Sequence, residues 1–132
     1  MIIINKNSIN TVALTLLEKS EFPNQYTYNL FLFENAETGE EKVFTGVKYT
    51  SNNQRYEKFY ITESGTTENL LDGLINITGN TAQWNYKVYE SLASFDANNL
   101  AVSATTGNII EQGRVLVKGI QNNNNTINDV YL

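Results

Sequence analysis

The sequence predicts an all-β protein: an antiparallel β-sandwich of about seven to eight short strands, with a small β-barrel as the alternative way of closing the sheet. Three observations carry this. Apolar and polar residues alternate in short runs along most of the 132 residues, the period of a strand with one face buried and one face wet. Glycine- and asparagine-containing breaks separate the runs, as turns between strands require. No stretch keeps a convincing 3.6-residue period.

Taken in order, Ile2-Ile3-Ile4 is a short strand and residues 5–10 a polar turn. Residues 11–17 alternate, with Val12, Leu14 and Leu16 on one face. Residues 18–24, which include the single proline Pro23, break the pattern. Residues 26–34 form the strongest strand. Tyr26, Tyr28, Leu30 and Leu32 face one way, and Phe31 and Phe33 the other, so its second half is expected to be covered on both sides. A turn ending at Gly39 joins it as a hairpin to residues 41–45. Residues 46–53 read as a loop, residues 55–62 as a strand, and residues 66–71 as a single helical turn.

Residues 73–78 are the next strand, and Gly79-Asn80 is a turn into Gln83-Trp84-Asn85-Tyr86-Lys87-Val88-Tyr89-Glu90. Here Trp84, Tyr86 and Val88 alternate with Asn85 and Lys87, placing the only tryptophan in the core. A long connection without a clear period spans residues 91–112, with Gly107 spaced like a turn residue. A strand over residues 114–118 follows, bounded by Gly113 and Gly119 and expected beside Trp84 in an antiparallel sheet. The division is therefore a sandwich over residues 1–120 and an Asn-rich hinge with a C-terminal arm over 121–132, whose Val130-Tyr131-Leu132 is apolar enough to dock.

Composition bounds the function classes. The chain is long enough to bury a real core. Charged residues make up 17%, below a typical ~25%, and asparagine, at roughly one residue in seven, fills the polar gap. A net charge of -5 argues against a phosphate-binding surface and hence against nucleic acid. No apolar run approaches the ~20 residues of a membrane span, and the run after Met1 is too short for a signal peptide. The expectation is a product first folded in a cytoplasm, with no membrane partner.

Histidine and cysteine are absent. That removes Ser-His-Asp and Cys-His catalysis and Cys/His zinc sites. Carboxylates for glycosidase work are present as Glu40, Glu41, Glu63, Glu68, Asp72, Glu90 and Asp96. None sits in a distinctive motif, so they read as solvated surface charge. Asp96-Ala97-Asn98-Asn99 lacks the glycine and final glutamate of a calcium loop. Asn76-Ile77-Thr78 and Asn124-Asn125-Thr126 match the glycosylation sequon by chance. The expectation is no enzyme, no cofactor and no metal. Aromatics among Asn and Ser make contact surfaces, which selects Tyr49, Tyr56 and Phe95, with Leu100 in the long connection and Val130, Tyr131 and Leu132 in the arm, as partner-contact residues.

Asn80-Thr81-Ala82-Gln83-Trp84-Asn85-Tyr86 resembles the Asp-x-Ala/Gly-x-Tyr-x-Cys corner before the F strand of immunoglobulin-like domains. Asn80 stands for the acid, Trp84 for the tyrosine and Tyr86 for the cysteine. Tyr86-Lys87-Val88 gives the corner in another register.

A broader resemblance rests on Met1-Ile2-Ile3-Ile4-Asn5-Lys6-Asn7, Thr11-Val12-Ala13-Leu14-Thr15-Leu16-Leu17-Glu18-Lys19 and Tyr28-Asn29-Leu30-Phe31-Leu32-Phe33-Glu34-Asn35. It continues through Arg55-Tyr56-Glu57-Lys58-Phe59, residues 84–90 and Glu111-Gln112-Gly113-Arg114-Val115-Leu116-Val117. In this pattern the chain resembles small structural proteins of tailed bacteriophages, crAss-like and related phages of Bacteroidetes-type gut bacteria. The resemblance implies an immunoglobulin-like virion component, assembled in the host bacterial cytoplasm. It would be a capsid auxiliary or decoration protein on the major capsid protein or other virion proteins, with self-association possible. A head-tail or tail accessory protein, or a carbohydrate-binding adhesion module, is the alternative.

Overall fold

The structure is a computed structural model that describes residues 1–16, 28–49, 57–77 and 82–119. The expected roles of Pro23, Tyr26, Tyr56, the Gly79-Asn80 turn, the asparagine hinge and Val130, Tyr131 and Leu132 lie outside the described residues.

Among the described residues there are nine strands: β1 (Ile2–Asn5), β2 (Ile9–Leu14), β3 (Tyr28–Asn35), β4 (Glu41–Phe44), β5 (Val47–Tyr49), β6 (Glu57–Glu63), β7 (Leu74–Ile75), β8 (Gln83–Ser91) and β9 (Ile109–Lys118). They form two sheets rather than a barrel. One has the order β1-β9-β8-β3-β4; the other has β2-β6-β5, with β7 beside β6. The expected pairing of the tryptophan strand with the 114–118 strand is present and antiparallel, with Trp84 opposite Val115. Most pairings are antiparallel, but β1 runs parallel to β9 and β7 parallel to β6.

Alternation puts one side of each sheet into a shared core. Ile2 and Ile4 of β1, Phe31 and Phe33 of β3, Trp84, Tyr86 and Val88 of β8, and Val115 and Val117 of β9 meet Val12, Leu14, Phe59 and Ile61 of the second sheet. Four phenylalanines join the layers. Phe31 stacks on Phe44 at 5.4 Å and meets Phe59 edge-on at 5.1 Å, while Phe33 meets Phe44 edge-on at 4.8 Å, the offset and T-shaped geometries that aromatic quadrupoles favour. As expected, β3 is also covered on its other face: Leu30, Leu32 and Tyr89 form a second cluster under Phe95, Leu100 and Val102.

Three readings are corrected. Residues 46–53 are not all loop, because Val47–Tyr49 pairs with β6; a three-residue edge strand after Gly46 is too short to show a period. Gly113 is not a turn: it lies inside β9 opposite Tyr86. A Cβ there would stand 2.9 Å from the Tyr86 ring, so glycine leaves room for that buried side chain. The turn glycine is Gly107, at φ 85, and β9 therefore begins at Ile109, earlier than its alternation suggested. The single helical turn exists, but as a 3₁₀ turn at Leu70–Asp72, capped by the Asn69 side chain and ended by Gly73 at φ 67.

Buried polar side chains hold the end of the sandwich where β1 turns into β2. Asn10 accepts the Asn5 N–H at 2.8 Å and donates to the carbonyls of Asn5 and Ile61. Its carboxamide thus takes the place of a neighbouring strand on Asn5. Glu63, 1% exposed, accepts the Asn7 N–H and the Ile77 N–H, each at 2.9 Å. Asn35 accepts the N–H groups of Glu37 and Thr38 and so shapes the β3–β4 turn.

At the surface Lys42 donates to the Glu68 carboxylate, which also accepts the Asn76 N–H. Partial burial pushes the Glu68 pKa up, but the hydrogen bonds from Lys42 and Asn76 and the Lys42 charge outweigh it, so the carboxyl sits below its ordinary 4.5. A depressed carboxyl contributes stability that is present above its unfolded value and lost as pH falls through the folded one. The Glu68→Gln variant is therefore expected to lose less stability than the parent in urea titrations as pH falls below 4.5. Because the pair is exposed to solvent, the difference should stay within ~1 kcal/mol. An identical pH profile for both proteins would refute it.

Candidate functional site

Strand directions gather three connections at one end of the sandwich. Tyr28 starts β3 opposite Ser91, which ends β8. Glu57 starts β6 opposite Leu14, which ends β2, and Tyr49 ends β5 opposite Lys58. The connections spanning residues 15–27, 50–56 and 92–108 all depart from this end.

The last of these is described throughout, and it is organised. Thr106 returns its N–H and hydroxyl to the Glu90 carbonyl, each at 3.0 Å. The Asp96 carboxylate accepts the N–H groups of Asn98 and Asn99, and Asn99 donates to the Ser94 carbonyl. The oxygen-rich Asp96-Ala97-Asn98-Asn99 stretch is thus a turn in which the Asp96 carboxylate serves backbone donors. Among the described residues no group of three or more Asp or Glu side chains is placed to hold a metal ion.

Where this connection rises from the sheet, a groove of about 230 Å³ opens, bordered by Tyr28, Asn29, Lys48, Phe59, Ser94 and Phe95. Tyr28 is 40% exposed, and Lys48 reaches the Glu57 carboxylate at 3.2 Å. The groove offers aromatic surface, one cation and small hydrogen-bonding groups. Aromatic faces with a few polar groups around a concave surface are what a ligand or partner binds to.

Of the sequence-selected contact residues three are described, Tyr49, Phe95 and Leu100, all toward this end. Phe95 borders the groove and Leu100 packs beside it, both half-buried over Leu30, Leu32 and Tyr89. Tyr49 belongs to β5 rather than to a loop, and its strand ends here. Tyr56, one position before β6 in the sequence, lies outside the described residues. Val130, Tyr131 and Leu132 also lie outside them; β9, the strand before that arm, ends at the opposite pole.

Sequence reasoning missed Tyr28, Asn29 and Lys48 as groove residues, since a strand's first residue looks like any other in an alternating pattern. It also misjudged two carboxylates. Glu63 and Glu90 are not surface charges but are buried, Glu90 completely. Both follow core positions at strand spacing, Ile61 before Glu63 and Val88 before Glu90, and that spacing was the available signal. Tyr86 completes the buried set: burial, with the Glu111 charge behind it, pushes its hydroxyl above 10.0, so it stays neutral at physiological pH.

No protein-family model matches the chain, and no curated protein matches it.

Proposed function

We propose that this chain is a non-enzymatic virion structural protein with an immunoglobulin-like fold, a capsid auxiliary or decoration protein that binds the head shell through the groove end. Strand order supports the fold. In immunoglobulin lettering β2, β6 and β5 take the places of B, E and D, and β9, β8, β3 and β4 those of G, F, C and C′, with β1 parallel to G. The observation that carries the function is that the strand ends flanking three connections meet at one grooved end. In this lettering the connections are B–C, D–E and F–G, and variable domains use B–C and F–G among their binding loops. The sequence resemblance supplies the virion setting.

A decoration protein needs an adhesive end and a soluble body, and no cofactor. The test is mass spectrometry of purified phage particles. Parent protein should be present in hundreds of copies, a number of the order expected from a shell built of many subunits. The Tyr28→Ala/Lys48→Glu variant should fold normally but lose at least about tenfold in occupancy, as removal of a contact worth over ~1.4 kcal/mol would. Absence from particles, or unchanged occupancy of the variant, would refute the reading. The exposed Tyr28 beside Phe95 also favours a second reading, stacking on a sugar ring, which a glycan array with the same variant decides.

A further inference from the structure

The outer face of the five-stranded sheet is covered over only part of its length. Toward the groove end, Phe95, Leu100 and Val102 lie over it. Toward the other end Ile3 is 41% and Met1 78% exposed, and Leu116 opposite Ile3 is half-buried. A hollow of about 340 Å³ sits there, bordered by Met1, Ala36, Gln83, Asn85, Arg114 and Leu116. Arg114 carries the only charged side chain among the described residues at its border, is exposed, and makes no ion pair with another described residue.

The chain itself contains a matching occupant. β9 ends at Lys118, and Gly119, at φ 88, turns the backbone beside Lys6. Residues 120–132 follow, reading Ile-Gln-Asn-Asn-Asn-Asn-Thr-Ile-Asn-Asp-Val-Tyr-Leu. Their first six residues reach up to about 20 Å when extended. Leu116 and Arg114 lie only about 7 and 13 Å back along β9 from Lys118. The next seven carry Ile127, Val130, Tyr131 and Leu132 with a single charge, Asp129, opposite in sign to Arg114.

We propose that residues 126–132 dock on this hollow, with Asp129 paired to Arg114 and the apolar side chains against Met1, Ile3 and Leu116. Docking takes place on the sheet face rather than on the β1 edge, where the Asn10 carboxamide already occupies the N–H and C=O of Asn5. The hollow lies at the opposite pole from the groove, so this contact is separate from the proposed grip on the shell and stands whether or not the virion reading does. Supplied by a neighbouring copy, it would link molecules side by side.

The chain has no cysteine, so Asn128→Cys gives the full-length protein one attachment point for a nitroxide. Loss of amide NMR signal is expected at Ile3, Asn85 and Leu116. A mixture of spin-labelled protein with isotope-labelled, nitroxide-free protein tells which copy supplies the segment, and either source supports the docking. Adding Arg114→Glu should remove the localised loss, and adding Asp129→Arg to that variant should restore it. Signal loss spread evenly over the surface, centred on Phe95, or unchanged by Arg114→Glu would overturn the proposal.

Discussion

Phe31→Ala is expected to lower unfolding stability by about 3–5 kcal/mol, the range for emptying a large aromatic site in a packed core. Phe31 is fully buried and belongs to β3 of the five-stranded sheet. Its ring stacks on Phe44 of the adjacent strand and meets Phe59 of the facing sheet edge-on. Alanine would lose the apolar burial and leave a cavity between two sheets whose backbones cannot close on it. Phe31→Leu fills most of that volume and should cost less, by a margin set by cavity size. A cycle with Phe59→Ala isolates the cross-sheet ring contact, expected at about 0.5–1.5 kcal/mol. Urea unfolding of the parent, the three single variants and the double variant is the measurement; a loss under about 1 kcal/mol for Phe31→Ala would mean that the sheets do not meet there.

Glu63→Ala should cost about 1–3 kcal/mol, since the buried Ile77 N–H loses its acceptor, while the Asn7 N–H, on an exposed turn residue, can turn to water. The side chain sits at a position that alternation after Phe59 and Ile61 assigns to the core. Its two oxygens divide between the Asn7 N–H in the β1–β2 turn and the Ile77 N–H after β7. Lys6 donates to the Ile77 carbonyl at 2.8 Å, so the same short segment is held from both sides. Glu63→Gln is also expected to be harmful, since a carboxamide has one oxygen and would turn its NH₂ toward a second donor. Hydrogen exchange should accelerate at Asn7 and Ile77 in both variants before it does at Val88. Exchange that rises uniformly, or Glu63→Gln behaving like the parent, would contradict this role.

Which features could be read in advance follows from how local their causes are. The β8–β9 pair was legible because Trp84, Tyr86 and Val88 on one side and Val115 and Val117 on the other alternate within their own segments. The double covering of β3 was legible because Leu30 to Phe33 are apolar on both parities. Illegible features have partners far away in the chain. Glu63 and Asn10 look like surface residues until residues 77 and 61 arrive beside them. The start of β9 was hidden by a register shift between Val88 and Tyr89, which breaks the alternation that would have extended the strand past Gly113. At the candidate site the apolar members of the long connection were visible as a set. Their landing place on Leu30, Leu32 and Tyr89 was not, because strand parity names a face without saying what covers it.

The parallel pairing of β1 with β9 has a kinetic consequence. Ile2 and Ile4 reach their core positions only when Val115 and Val117 are in place, so the opening strand must wait for the final described strand to be synthesised. Loop closure over nearly the whole chain places this contact among the slow, non-local ones that hold β-sandwich folding to milliseconds or longer. Until then three consecutive isoleucines remain available to other chains. The Asn10–Asn5 hydrogen bonds span only five residues, so among the contacts that hold this strand they are the ones that need no distant partner.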